Sequence, residues 1–181
     1  MSAALSKLVF LLVIPVLLSC QSPAAKVDPS TSVRPVKRPN VSQSSVRIVD
    51  SKEHQPNYIT CDLGGDQRSD SVKIVRNLDN GKYGLKIIFG NKQIQYLGMG
   101  KDVLGQGFDN LDWIGIFERV PKGNAYFNNV DEEGDIISEE EVKPGDKIML
   151  DNDGIFIHQA ESCGGGIIYL KNGKFAWIQQ E

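Results

Sequence analysis

Gly166-Ile167-Ile168-Tyr169-Leu170-Lys171-Asn172-Gly173-Lys174-Phe175-Ala176-Trp177-Ile178-Gln179 reads as two β-strands, Gly166 to Leu170 and Lys174 to Gln179, joined by a tight turn. Ile167/Tyr169 and Phe175/Trp177 recur with the period of two that places side chains on one face of a strand. Asn172-Gly173 accepts the paired positive φ angles of a type I′ turn at little steric cost. Upstream, short runs rich in Ile, Val, Tyr, Phe and Trp add eight more candidate strands. They are Tyr58 to Asp62, Val72 to Asn77, Tyr83 to Phe89, Lys92 to Leu97, Trp113 to Val120, Ala125 to Asn128, Lys147 to Leu150 and Ile155 to His158. Asn80-Gly81 predicts a second type I′ hairpin, and Gly90-Asn91 another tight connection. Several runs are apolar on both faces. No window of helical length carries the i, i+3, i+4, i+7 pattern, and only Ser138 to Val142 is expected to form a helical turn. The expected fold is all-β, a small antiparallel barrel or sandwich of about eight to ten short strands.

Glycine and charge mark where this domain begins. All 18 glycines of the 181-residue chain lie from residue 57 onward, whereas five of the eight prolines fall between residues 21 and 56. The formal net charge of -3 divides in the same way. Residues 21–56 hold six basic and three acidic side chains, and residues 57–181 hold 13 basic and 20 acidic ones, a charge of -7. The composition excludes disorder throughout, a collagen repeat and a polytopic membrane protein. A pI near 5.5 disfavours a nucleic-acid binder.

Residues 1–19 have the features of a signal peptide: Lys7, the apolar run Leu8 to Leu18 interrupted by Pro15, then Ser19. The ending Leu17-Leu18-Ser19-Cys20 resembles the bacterial lipobox. That resemblance implies cleavage before Cys20, acylation of its sulfur and amine, and a lipid anchor in the membrane; Gln21 at the next position implies the outer membrane. Several acyl chains anchor where a single chain holds only marginally, at about 0.8 kcal/mol per buried methylene. The alternative is an ordinary cleaved signal with a chance cysteine, or an uncleaved anchor. Residues 20–56 then form a tether, rich in Pro and Ser and without an aromatic residue or glycine, too polar to repay its ordering entropy. Its short apolar stretch Val46 to Val49 is expected to add an edge strand to the domain, which spans 57–181.

With Cys20 lipidated, Cys61 and Cys163 remain, and in an exported protein they are expected to form one disulfide closing a long loop. Two free thiols, as a nucleophile or metal ligands, are the alternative; neither CxxC spacing nor neighbouring histidines favour it. The domain's single histidine, His158, falls at the polar phase of a strand, and there is no G-x-S-x-G, phosphate loop or His cluster. Asp131/Glu133 and Asp151/Asp153 are close acidic pairs in turn-like segments with no sign of a cleft. The chain is therefore read as a binding protein and not an enzyme, with no resident cofactor. Asn129, Asp131, Glu133 and Glu140 do fall at positions 1, 3, 5 and 12 of an EF-hand register, so weak calcium binding is the one metal reading, against a solvated acidic loop.

Cys61 near the start of the domain, Gly123-Asn124-Ala125-Tyr126, Lys143-Pro144-Gly145-Asp146 and Cys163 follow one another in an order similar to that of the membrane-bound inhibitors of c-type lysozymes. The resemblance implies a lipid-anchored β-barrel whose loop serine and lysine block the catalytic carboxylates of a lysozyme. Gly123, Tyr126 and Lys143 match that pattern; Lys122 stands where the family has serine, a proline precedes Gly145, and the chain runs on past Cys163. An acidic domain would be steered toward a basic lysozyme-like partner, with Lys122 and Lys143 facing its carboxylates. The second expectation is a periplasmic or surface-facing envelope module that binds glycan or host protein through aromatics such as Tyr126 or Trp177. The third is a calcium-dependent interaction module.

Overall fold

A computed structural model describes residues 46–131 and 133–181; the signal segment, Cys20 and most of the tether lie outside the described residues. The hairpin at the C-terminus is β10 (Gly165–Lys171) and β11 (Lys174–Gln180), with Ile168 opposite Trp177. Asn172 and Gly173 have φ of 52° and 74°, the pair of positive angles a type I′ turn requires. β9 (Gly154–His158) pairs with the other edge of β10, and β6 (Ile116–Val120) with β9, giving a four-stranded antiparallel sheet in the order β11-β10-β9-β6.

The second sheet is built on β3 (Asp70–Asn77). β4 (Tyr83–Ile88) pairs along one edge of β3, and β5 (Ile94–Gly98) lies beyond β4. β1 (Ile48–Asp50) and β2 (Tyr58–Cys61) share the opposite edge, β1 against Val75–Asn77 and β2 against Asp70–Lys73. A two-stranded ribbon, β7 (Ala125–Tyr126) and β8 (Ile148–Met149), completes the set. All ten candidate strands are present, together with the edge strand β1. Short 3-10 turns occupy Glu139–Glu141, where Ser138 and Glu141 form a capping box, and Pro144–Asp146.

Val72 and Ile74 of β3 alternate with Lys73, and Leu85 and Ile87 of β4 with Lys86, so one face of this sheet is buried while the other carries half-exposed lysines beside buried Val75. That buried face shares a single cluster with Phe117, Ile155, Ile157 and Ile168 of the four-stranded sheet. The opposite face of the four-stranded sheet is buried too, where Ile167, Tyr169 and Ile178 pack with Val120 and Leu150, flanked by Tyr126 and Ile148 of the ribbon. Burial on both faces explains why the runs of β9 and β10 do not alternate. Among the described residues no strand pairing joins the two large sheets, so the arrangement is open and not a closed barrel.

The folded part begins earlier than the composition shift at residue 57 indicates. β1 is paired, Ser51 and His54 are buried, and the Ser51 N–H donates to the Ile74 carbonyl at 2.8 Å. His54 Nε2 faces the Asp112 carbonyl at 3.3 Å, which makes it the protonated nitrogen and leaves Nδ1 to accept from the Ser51 hydroxyl at 2.7 Å. The polar composition of 48–56 concealed this because its hydrogen bonds, and not apolar area, bind it to the sheet.

Candidate functional site

Cys61 and Cys163 are not bonded to one another. Cys61, at the end of β2, is buried beside Asp153, whose carboxylate accepts from the neighbouring Asp62 N–H at 2.8 Å. Asp153 immediately precedes β9, whereas Cys163 lies past the other end of that strand, in the turn where the Gln159 N–H donates to the Gly164 carbonyl. From the first to the last of its five extended residues β9 rises about 13 Å, four steps of ~3.3 Å, roughly twice the Cα separation a disulfide bridges. The expected bridge is corrected accordingly: Cys163 is exposed, and burial, then the charges of Asp70 and Asp153, push the Cys61 thiol up to about 12.

Lys122, Gly123 and Tyr126 lie on the β7–β8 ribbon and its base, and Lys143 lines a cavity with Phe127 and Asn128 just past Tyr126. The Lys122 N–H donates to Asp153 and the Gly123 N–H to the Leu150 carbonyl, placing both at the base of the β7–β8 ladder. Tyr126 sits opposite Ile148 within it. Lys143 precedes the Pro144–Asp146 turn, beyond the far end of the same ladder. The two loops of the resemblance thus flank the two ends of a ribbon only two residue pairs long.

The acidic loop folds on itself. Asp131 Oδ1 accepts from the Glu133 and Asp135 N–H groups at 3.1 and 2.8 Å, inside a turn closed by the Val130–Ile136 bridge. Asn129 exchanges two hydrogen bonds with the backbone of Glu181, and Glu140 is exposed in the first 3-10 turn. Asp131 and Glu133, with Phe127, Val142 and Lys143, line a cavity of about 570 Å³. Among the described residues no group of three His, Cys, Asp or Glu side chains is gathered as a metal site.

A smaller cavity, about 210 Å³, opens where the connection between β5 and β6 meets the ends of β9, β10 and β11. Three aromatic rings form its walls. Phe108 meets Trp113 at 5.4 Å between centroids and 87° between planes, and Trp177 at 5.8 Å and 68°, both edge-to-face contacts. Gln159, Gln179 and the backbone of Gly164 and Gly165 supply the polar part, and among the described residues no charged side chain lines it. The Trp177 indole N–H donates to Gln179 Oε1 at 2.8 Å, which fixes the ring. Gly166 is required beneath that ring, since a Cβ there would fall 2.3 Å from Trp177 Cζ2. Phe108 and Trp113 arrive on a seventeen-residue connection held by its own hydrogen bonds. The Asp102 carboxylate accepts from the Gly105 and Gly107 N–H groups, and the Val103 N–H donates to the Phe108 carbonyl. Buried Val103 and Leu111 insert this connection into the core. A long connection without strands that is nevertheless ordered is where binding residues tend to lie.

Trp177 was identifiable as an exposed-phase aromatic on its strand; Phe108 and Trp113 were not, because nothing local ties residues 108, 113 and 177 together. No family model, curated protein or solved structure matches this chain.

Proposed function

We propose that this chain is a bacterial outer-membrane lipoprotein, anchored through Cys20, whose β domain binds a ligand without transforming it. The sequence supports the anchor through Leu17-Leu18-Ser19-Cys20 and the tether through its Pro- and Ser-rich, basic composition. The observation that carries the binding role is the Phe108–Trp113–Trp177 cavity, whose lining offers contact area and amide hydrogen bonds but no nucleophile, acid or base. His54, the histidine most fully engaged in side-chain hydrogen bonds, is 7% exposed and closed to a substrate. Inhibition of a lysozyme-like enzyme is the second reading, favoured by the acidic charge of the domain. The anchor is tested by labelling growing cells with palmitate: incorporation into the chain and its loss in Cys20→Ala are expected, and equal labelling of both overturns this reading.

A further inference from the structure

We propose that the Phe108–Trp113–Trp177 cavity is a subsite for one uncharged pyranose residue of a glycan, a proposal that rests on the binding role above and names its ligand class. The shape and chemistry of the lining select that class. A pyranose ring has a flat C–H face and an edge of hydroxyls, so its ligand site needs aromatic walls beside amide groups. Both are present: the two indoles and Phe108, with the carboxamides of Gln159 and Gln179 beside them. Among the described residues the Gln159 carboxamide makes no hydrogen bond within the protein, so its donors and acceptor are free for hydroxyls. Gln179 Nε2 already donates to Glu181 Oε1 at 2.8 Å, and Oε1 accepts from Trp177, so this amide is oriented before a ligand arrives.

Size and charge narrow the choice further. A volume of about 210 Å³ holds roughly seven waters at ~30 Å³ each, room for one ring and not for an extended peptide turn. The absence of lysine or arginine in the lining, on a domain of charge -7, disfavours phosphate or carboxylate ligands. A quaternary ammonium would suit the ring faces, but it would leave the Gln159 amide unpaired and finds no carboxylate in the lining.

The chain has two tryptophans, and both line this cavity, so its tryptophan emission, excited selectively over tyrosine, reports on the site. The test titrates the full chain in detergent with the methyl glycosides of glucose, galactose and N-acetylglucosamine, with choline and a peptide of residues 21–45 as comparison arms. A saturable emission shift with at least one glycoside, at about millimolar affinity, is expected for a ligand of this size. Gln159→Ala, a substitution outside the core, is expected to weaken it at least fivefold, and Gly166→Ala, whose Cβ would meet the Trp177 indole at 2.3 Å and the Ile178 carbonyl at 2.6 Å, at least tenfold. Unchanged thermal midpoints identify the variants that remain folded, and Gln159→Ala decides the matter if Gly166→Ala does not fold. No shift with any glycoside, or a shift that both variants retain, overturns the proposal. A shift with choline or the peptide alone overturns the sugar class and leaves the binding role standing; silence in every arm overturns both.

Discussion

Asp153 is a carboxylate that the fold keeps ionised although it is buried. Burial by itself would raise its pKa, but N–H groups of Asp62 and Lys122 donate to it, and the Arg119 guanidinium lies 2.9 Å away, so the group titrates below its ordinary 3.8. A carboxyl that titrates lower in the folded chain than in the unfolded one contributes stability that is complete above 3.8 and is lost as pH falls through the folded value. Asp153→Ala is expected to cost about 2–3 kcal/mol at neutral pH, because two backbone donors lose their partner. Urea midpoints recorded down to about pH 2.5 check the sign, since Asp153→Asn should flatten the acid limb. The two cysteines next to this network and beyond it differ for an equally local reason. A maleimide at neutral pH is expected to label Cys163 in the folded chain and Cys61 only after unfolding, because the thiolate is the reactive form and Cys61 is held as the thiol. Protection of both until a reductant is added would restore the bridge.

At the scale of elements, the turns show where dipeptide rules hold and where neighbours override them. Asn172-Gly173 takes the type I′ geometry, while at Asn80-Gly81 only the glycine has positive φ. There the loop is widened: the Gly81 N–H donates back to the Asn77 carbonyl, and the Asn80 side chain reaches the Met99 carbonyl on the neighbouring connection. At Gly90-Asn91 the left-handed position is filled by Lys92, with φ of 72°. Lys92→Gly is expected to raise stability by about 0.5–1 kcal/mol, the steric relief outweighing the extra chain entropy, as measured by denaturant midpoint. Trp113 was expected inside a strand, yet β6 starts only at Ile116. The Asp112 carbonyl is directed to His54, and pairing begins where the Gly115 N–H donates to the His158 carbonyl. Ala125 to Asn128 is shortened to two residues because Phe127 and Asn128 bond instead to the C-terminal strand, through Gln180 Nε2 and the Gln179 N–H.

At the scale of the molecule, residues 48–56 determine how firmly the five-stranded sheet is closed along one edge. A chain beginning at residue 57 is expected to unfold several degrees below one beginning at residue 46, since it loses β1, buried Ser51 and the His54 contact with Tyr83 at 5.1 Å. Equal midpoints would return these residues to the tether. The sequence by itself determined the all-β class, the approximate places of ten strands and the Asn172-Gly173 turn, because strand periodicity and turn chemistry are local properties of neighbouring residues. It also marked Trp177. Only the tertiary structure decided that the two large sheets stay open, that Cys61 and Cys163 lie toward opposite ends of β9, and that Lys122 and Lys143 flank the short β7–β8 ribbon. The same packing brings Phe108 and Trp113 to Trp177. These outcomes depend on which strands become neighbours, and contacts between residues distant in sequence leave no trace in the local pattern.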